Sequence, residues 1–105
     1  MKKFAQGAIG TGTGTLAYTV PSSYKAVVTN IDVCNTTSGA LTLTLHLVPV
    51  GVGVGTTNAL TYGYSVAANS VFSWEGRQAL NAGDFIQAIG SGTGLTMNIT
   101  GEEIR

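Results

Sequence analysis

The feature that most constrains this chain is an alternation of apolar and polar residues in short runs along its length. Leu41–Leu47 places four leucines on one side and two threonines and a histidine on the other. Leu60–Val66 and Leu95–Thr100 repeat the alternation. A period of two matches a β-strand, in which successive side chains point to opposite faces. No segment keeps apolar residues at helical spacing for long, so the chain is predicted to be all-β.

Eight such runs are separated by segments with turn chemistry. The predicted strands cover residues 4–9, 15–20, 27–33, 41–47, 60–66, 72–74, 85–89 and 95–100. Residues 48–57, with Pro49 and three glycines, form the longest predicted loop. About eight strands at this spacing predict a single antiparallel β-sandwich over residues 1–105, jelly-roll-like, with residues 1–4 as an N-terminal arm. An immunoglobulin-like sandwich is the second choice, because the Cys…Trp…Cys pattern is missing.

The charge content excludes several classes of function. Lys and Arg number 5, Asp and Glu number 5, and charged residues make up 10% of the chain. Nucleic-acid binding needs clustered Lys and Arg, so no nucleic-acid partner is expected. No apolar run is long enough for a signal peptide or a membrane helix, which predicts synthesis in a cytoplasm and no membrane partner. Cys34 stands alone and cannot form an internal disulfide.

No motif in the chain carries recognisable catalytic chemistry. Gly10–Gly14 alternates Gly and Thr, but no Lys follows it and no helix opens after it, as a phosphate-binding loop would require. His46 is the one imidazole, and its strand position points outward among threonines, which predicts a solvent-facing or interface side chain. Ser91 lacks the G-x-S-x-G pattern of a hydrolase nucleophile. The chain is therefore predicted not to be an enzyme.

The carboxylates of the central region have simpler explanations than catalysis. Asp84 is expected to cap the turn at Gly83, and Glu75 is expected to pair with Arg77 at the surface. One Cys and one His cannot supply the clustered ligands of a zinc site. Nothing in the sequence argues for a calcium site, so neither a metal nor a cofactor is predicted.

The aromatic residues allow two interpretations. Five of them could form a sugar-stacking platform: Tyr18, Tyr24, Tyr62, Tyr64 and Trp74. The last three alternate with other apolar groups, so packing in the core is favoured for them.

The sparse charge is the most informative surface property. Five of the ten charged residues lie at the two ends of the chain, and the outward strand positions are mostly Thr, Ser, Ala, Asn and Gly. Few charges and zero net charge favour association over a free monomer. The sheet edges also lack the usual charged or proline residues that prevent pairing. We therefore expect faces and edges to be covered by copies of the chain or by a larger partner.

The sequence resembles small structural proteins of tailed bacteriophages. The likeness covers most of the chain and is carried by the segments Leu16–Pro21, Ala26–Thr37, Leu43–Pro49, Leu80–Ala88 and Thr96–Ile104, the last similar to the "ISGVEI" close of such chains. These segments are strand-and-turn patterns, and the family pattern contains no catalytic residues.

The resemblance implies a virion β-sandwich on the capsid or in the tail. The compact length, without fibrous repeats, favours a capsid decoration (cement) protein at the capsid surface: a homo-oligomer, expected to be a trimer, that bridges and stabilises major capsid protein subunits. The expected contact residues are Lys2, Lys3, Phe4, Glu102, Glu103 and Arg105, whose opposite charges would pair if the end strands are neighbours. A tail or baseplate component, or a carbohydrate-binding module of a receptor-binding assembly, is the alternative.

Overall fold

A computed structural model describes residues 1–105 as eight β-strands and one short 3-10 turn. The strands are β1 (Lys2–Ala8), β2 (Thr15–Thr19), β3 (Lys25–Asn35), β4 (Leu41–Val48), β5 (Ala59–Val66), β6 (Val71–Leu80), β7 (Phe85–Gly90) and β8 (Leu95–Ile104), and the turn is Thr56–Asn58. All eight predicted strands are present. The expected arm over residues 1–4 is wrong, because Lys2 begins β1 and Phe4 is buried in the core.

The strands form two four-stranded antiparallel sheets. Sheet A has the order β1-β8-β3-β6, and sheet B has the order β2-β7-β4-β5. Only β4 and β5 are both consecutive in the chain and paired, so every other connection crosses between the sheets. Eight strands wound between two sheets in this way form a jelly roll, which confirms the predicted all-β sandwich.

One apolar core lies between the sheets. Its 16 residues come from both sheets, and the largest fully buried side chains are Ile31, Leu43, Leu45, Ile86, Leu95 and Ile99. In β8 the inward positions are the alternate residues from Leu95 to Ile99, as the period-two pattern requires.

A bulge in β3 changes which valine faces the core. Simple alternation places Val27 on the same face as Ile31 and Val33, with Val28 opposite. The register against β8 shifts between Val28 and Asn30, so one extra residue of β3 lies at this point. Val28 is therefore fully buried and Val27 is half-buried on the outer face, which corrects the simple alternation.

Close packing at one glycine gives a test of the core. Gly101 lies in β8 beneath the ring of Phe4, and a Cβ atom built there would lie 2.2 Å from the Val27 carbonyl oxygen and 2.5 Å from Phe4 Cε2. Because backbone cannot give way as a flexible side chain can, we expect Gly101→Ala to lower the free energy of unfolding by about 2 kcal/mol or more. Urea unfolding followed by circular dichroism measures this loss. Gly39→Ala is the matched control, since open space surrounds that position; equal stability of the two variants would contradict this packing.

Candidate interaction surface

Charge is distributed unequally between the two sheets. Eight of the ten charged residues lie on strands of sheet A: Lys2, Lys3, Lys25, Asp32, Glu75, Arg77, Glu102 and Glu103. The four strands of sheet B and the loop between β4 and β5 contain no Asp, Glu, Lys or Arg. The remaining two charges are Asp84, buried in the turn before β7, and Arg105, which follows β8. One side of the molecule therefore presents no charge.

We call the outer side of sheet B together with the β4–β5 loop (residues 49–58) the uncharged face. Five large apolar or aromatic side chains are exposed on its strands and loop: Leu16, Val50, Val52, Val54 and Tyr62. Tyr62 is 68% exposed and Leu16 is 58% exposed. Single exposed apolar residues are normal, but several on one side without charges among them are typical of an interaction surface.

The β4–β5 loop is held onto sheet B by buried polar groups. The Asp84 carboxylate accepts hydrogen bonds from the backbone N–H of Asn81 and of Val50, each at 2.8 Å. The first bond confirms that Asp84 caps its own turn, and the second fixes the start of the loop. Val48, which points outward from sheet B, is fully buried, as expected beneath this loop.

His46 is not solvent-facing, which excludes the first of the two positions expected for it and leaves a place at an interface as a prediction. Its position in β4 does point outward from the sandwich, but the side chain is only 3% exposed. Its Nδ1 lies 2.9 Å from the Asn58 Oδ1 atom, and Asn58 belongs to the short turn that ends the β4–β5 loop. Alternation along β4 correctly gave the direction of the side chain and could not show that a distant loop covers it.

A shallow cavity of about 330 Å³ opens on the uncharged face beside His46. Its lining residues are Thr44, His46, Val54, Gly55, Thr56, Tyr62 and Ile89. The rings of His46 and Tyr62 meet edge to face, with centroids 6.5 Å apart. The cavity is therefore walled by aromatic, aliphatic and uncharged polar groups.

The predicted core packing of Tyr62, Tyr64 and Trp74 is wrong for both tyrosines. Against β4, strand β5 carries an extra residue between Thr61 and Tyr64, which separates the two tyrosines onto different faces. Tyr62 lies on the uncharged face, whereas Tyr64 lies at the open side of the sandwich, where its ring contacts Phe72 with centroids 5.1 Å apart. Trp74 is half-buried and packs against the core.

The sheet edges are protected by a device that the sequence alone did not reveal. The four edge strands are β1, β6, β2 and β5, and each is bulged relative to its neighbour, with one extra residue in β1, β6 and β2 and two in β5. In β1 the extra residue is Phe4, and in β2 it is Ala17. A bulge bends the strand and interrupts the row of unpaired backbone groups, which opposes strand addition. The expectation of unguarded edges is therefore wrong.

The terminal residues predicted as contacts are only partly brought together. Lys2 Nζ donates a hydrogen bond to Glu103 Oε1 at 2.8 Å, which confirms the expected pairing of the end strands. The Tyr18 hydroxyl, from sheet B, donates to the other oxygen of the same carboxylate. Phe4 stacks on Tyr18 with centroids 4.0 Å apart and is a core residue. These contacts join the two sheets at one open side of the sandwich.

The other predicted contact residues lie elsewhere on sheet A and beyond it. Lys3 and Glu102 are exposed on the outer face of sheet A, where Lys3 Nζ bonds to Gln6 Oε1 at 2.6 Å. The Arg105 guanidinium lies over the Tyr24 ring, 5.3 Å from its centroid. The predicted pair of Glu75 with Arg77 is wrong, since the one salt bridge of the chain joins Lys2 and Glu103. Glu75 and Arg77 are both exposed at a bulge in β6, where the strand bends.

Comparison with known proteins gave no match: neither a family model, nor a curated protein, nor a solved structure is significantly similar to this chain. The chain has no helix of the length and apolarity needed to cross a bilayer. Nowhere do three or more His, Cys, Asp or Glu side chains come together in a group suited to a metal ion.

The contact between Lys2, Tyr18 and Glu103 predicts a pH dependence of stability. The Lys2 ammonium, and then the Tyr18 hydroxyl, hold the pKa of the Glu103 carboxyl below its ordinary value. Burial and the adjacent carboxylate raise the pKa of the Tyr18 phenol. A lowered carboxyl pKa contributes stability above the unfolded-state value of about 4.3, and this is lost as the pH falls through the lower folded-state value.

We therefore expect Glu103→Gln to be less stable than the parent protein at neutral pH, with the difference closing as the pH falls below about 4. Thermal unfolding followed by circular dichroism across this range measures the difference. Glu102→Gln is the matched control, because Glu102 is the exposed neighbour without an ion pair. A Glu103→Gln deficit of constant size at every pH would contradict the role of the charge.

Proposed function

We propose that this protein is a non-enzymatic structural component of a tailed-bacteriophage particle: a capsid decoration (cement) protein that binds across major capsid protein subunits and stabilises the head. It would be synthesised in the host cytoplasm and act on the capsid surface, with a homotrimer as the proposed assembly. The observation that carries the proposal is the uncharged face, on a chain whose sequence resembles small virion proteins.

The uncharged face is suited to burial against protein. Removing an unpaired charge from water costs several kcal/mol, whereas a surface of Thr, Gly, Val and Tyr incurs no such penalty. A standard specific interface covers about 800 Å² on each partner. The chain exposes 5473 Å² in total, so an interface of that size needs about a seventh of it, less than one side of the sandwich.

The bulged edges favour contact through faces rather than through an extended sheet. Strand addition would need a regular row of free backbone groups, and each of the four edge strands interrupts that row. A protein that binds an assembled lattice and not its dissociated subunits stabilises the lattice by mass action. This mechanism needs surface complementarity and no catalytic group.

A tail or receptor-binding component is the second candidate. The exposure of Tyr62 and Tyr64 favours it, because a carbohydrate-binding surface requires accessible aromatic rings. Electron microscopy of particles labelled with an antibody to this protein separates the two candidates. Label over the head is expected for decoration, and label confined to the tail would exclude it.

The proposed function predicts that particles lacking this protein lose infectivity at a lower temperature than complete particles, and that adding the protein back restores their heat resistance. Within this assay we expect Leu16→Lys to weaken attachment about tenfold or more, since one buried unpaired charge costs at least 1.4 kcal/mol. Val71→Lys is the matched control: Val71 is 57% exposed against 58% for Leu16, but it lies on sheet A. Attachment is measured by co-sedimentation with the particles.

The salt dependence of attachment provides a further check on the uncharged face. Because no ion pair is available on this face, attachment is expected to change little between low and physiological ionic strength. Equal heat survival with and without the protein would contradict the decoration role. Equal losses for Leu16→Lys and Val71→Lys would show that the uncharged face is not the contact surface.

A further inference from the structure

The hydrogen bonds around His46 fix the tautomer of its neutral ring. Asn58 Nδ2 donates to the Gly53 carbonyl oxygen at 3.1 Å, and Asn58 Oδ1 accepts the backbone N–H of Gly55 at 3.3 Å. The amide orientation is thereby set, and the atom facing His46 Nδ1 is an oxygen, which can only accept. Nδ1 therefore carries the proton. In the neutral ring, Nε2 is then a hydrogen-bond acceptor.

The Nε2 atom has no partner within the protein, although the side chain is 97% removed from solvent. Its ring makes one side-chain hydrogen bond, through Nδ1 to Asn58. No fully buried side-chain nitrogen or oxygen of the chain lacks a partner, so Nε2 is reached from outside. Of the three cavities on the surface, the one beside Tyr62 is the one that His46 lines. A buried acceptor with a fixed tautomer is thus directed into a cavity.

The other walls of the cavity define the chemistry of a ligand. Tyr62 presents an exposed aromatic ring, Val54 and Ile89 are aliphatic, and Thr44 and Thr56 contribute hydroxyl groups. Predominantly apolar walls with a few convergent polar groups are typical of small-molecule sites, and about 330 Å³ lies at the lower end of their range. No charged side chain lines the cavity, which disfavours phosphates, carboxylates and acidic sugars. The fitting ligand is small and neutral, with hydroxyl groups along one edge and an apolar C–H surface.

We propose that this cavity binds one unit of a neutral saccharide. A sugar hydroxyl donates to His46 Nε2, and the C–H face of the ring packs on Tyr62. The Thr44 and Thr56 side chains border the remaining hydroxyl groups. The site does not depend on the position of the protein in a particle, since every group that forms it belongs to this chain.

The test uses the single histidine of the chain as a reporter. Nitrogen-15 NMR of the imidazole is unambiguous here, because His46 is the only source of the signal. The full-length protein is titrated with neutral hexoses, N-acetylhexosamines and their short oligomers, and with sialic acid and glucose 6-phosphate as charged comparators. We expect at least one neutral saccharide to shift the Nε2 resonance in a saturable way, and the charged comparators to leave it unchanged.

Three variants assign the contacts. Tyr62→Ala removes the exposed ring and is expected to weaken binding about tenfold or more. His46→Asn retains a donor toward Asn58, and its shorter amide does not place an acceptor where Nε2 lies, so it is expected to weaken binding similarly while the fold is preserved. Calorimetry reports its affinity because the imidazole signal is gone. Tyr64→Ala is the matched control, since Tyr64 lies on the same strand but does not line the cavity. Its affinity is expected to be unchanged.

Three results would overturn the proposal. These are the absence of any neutral saccharide that shifts Nε2 at millimolar concentration, tighter binding of the charged comparators, and full binding by both Tyr62→Ala and His46→Asn. If Tyr62→Ala instead abolishes attachment to particles while no saccharide binds, the cavity is part of a protein contact and the saccharide site is excluded. Attachment of Leu16→Lys and Val71→Lys is measured separately, so failure of the saccharide site leaves the proposed function independently testable.

Discussion

The burial of one apolar side of each sheet against the other is the constraint on which the rest of this molecule depends. Alternation along each strand selects the residues that face inward. Where the sequence departs from strict alternation, a bulge shifts the register so that the apolar residues still face the core. Thr29 absorbs the shift in β3, and Phe4 becomes an extra residue of β1 that is turned into the core. The Phe4 bulge also bends an edge strand, and the other three edge strands are bulged as well. A requirement of core packing therefore also limits how copies of the chain can associate.

Separation of charge follows from this two-layer architecture. Each sheet has one outer side, and nearly all the ionic groups are on the side of sheet A. Lys2 and Glu103 form the one salt bridge there, and Tyr18 extends it across to sheet B. Sheet B is left with uncharged polar and apolar groups, which can be desolvated at low cost. Charged and uncharged outer surfaces therefore lie on opposite sides of one small domain.

Sequence reasoning predicted what depends on local pattern and missed what depends on contacts between distant segments. The eight strands, the sandwich, the Asp84 cap and the Lys2–Glu103 pair follow from alternation, turn chemistry and the proximity of the end strands. The face of Val27 was wrong because the bulge at Thr29 inverts alternation without a residue type that marks it, whereas the bulge that moves Tyr62 contains Gly63, a glycine at positive φ whose signal was not used. The uncharged face was visible in the sequence as a gap in charge between Asp32 and Glu75, but its meaning required the sheet order.

The burial of His46 illustrates how a neutral surface can acquire specificity. The stretch Val50–Gly55 contains only valine and glycine, whose side chains make no hydrogen bonds, and apolar contact alone discriminates poorly among partners. Asn58 adds a polar group with fixed geometry, because its amide makes hydrogen bonds both to the loop backbone and to the imidazole of His46. The Nε2 atom of His46 is then left as a single acceptor of known orientation. A partner without a hydrogen-bond donor at that point would leave Nε2 buried and unpaired. Such a partner would bind more weakly by about 1–3 kcal/mol. The proposed attachment through the uncharged face and the proposed selection through His46 therefore rest on separable features of one surface.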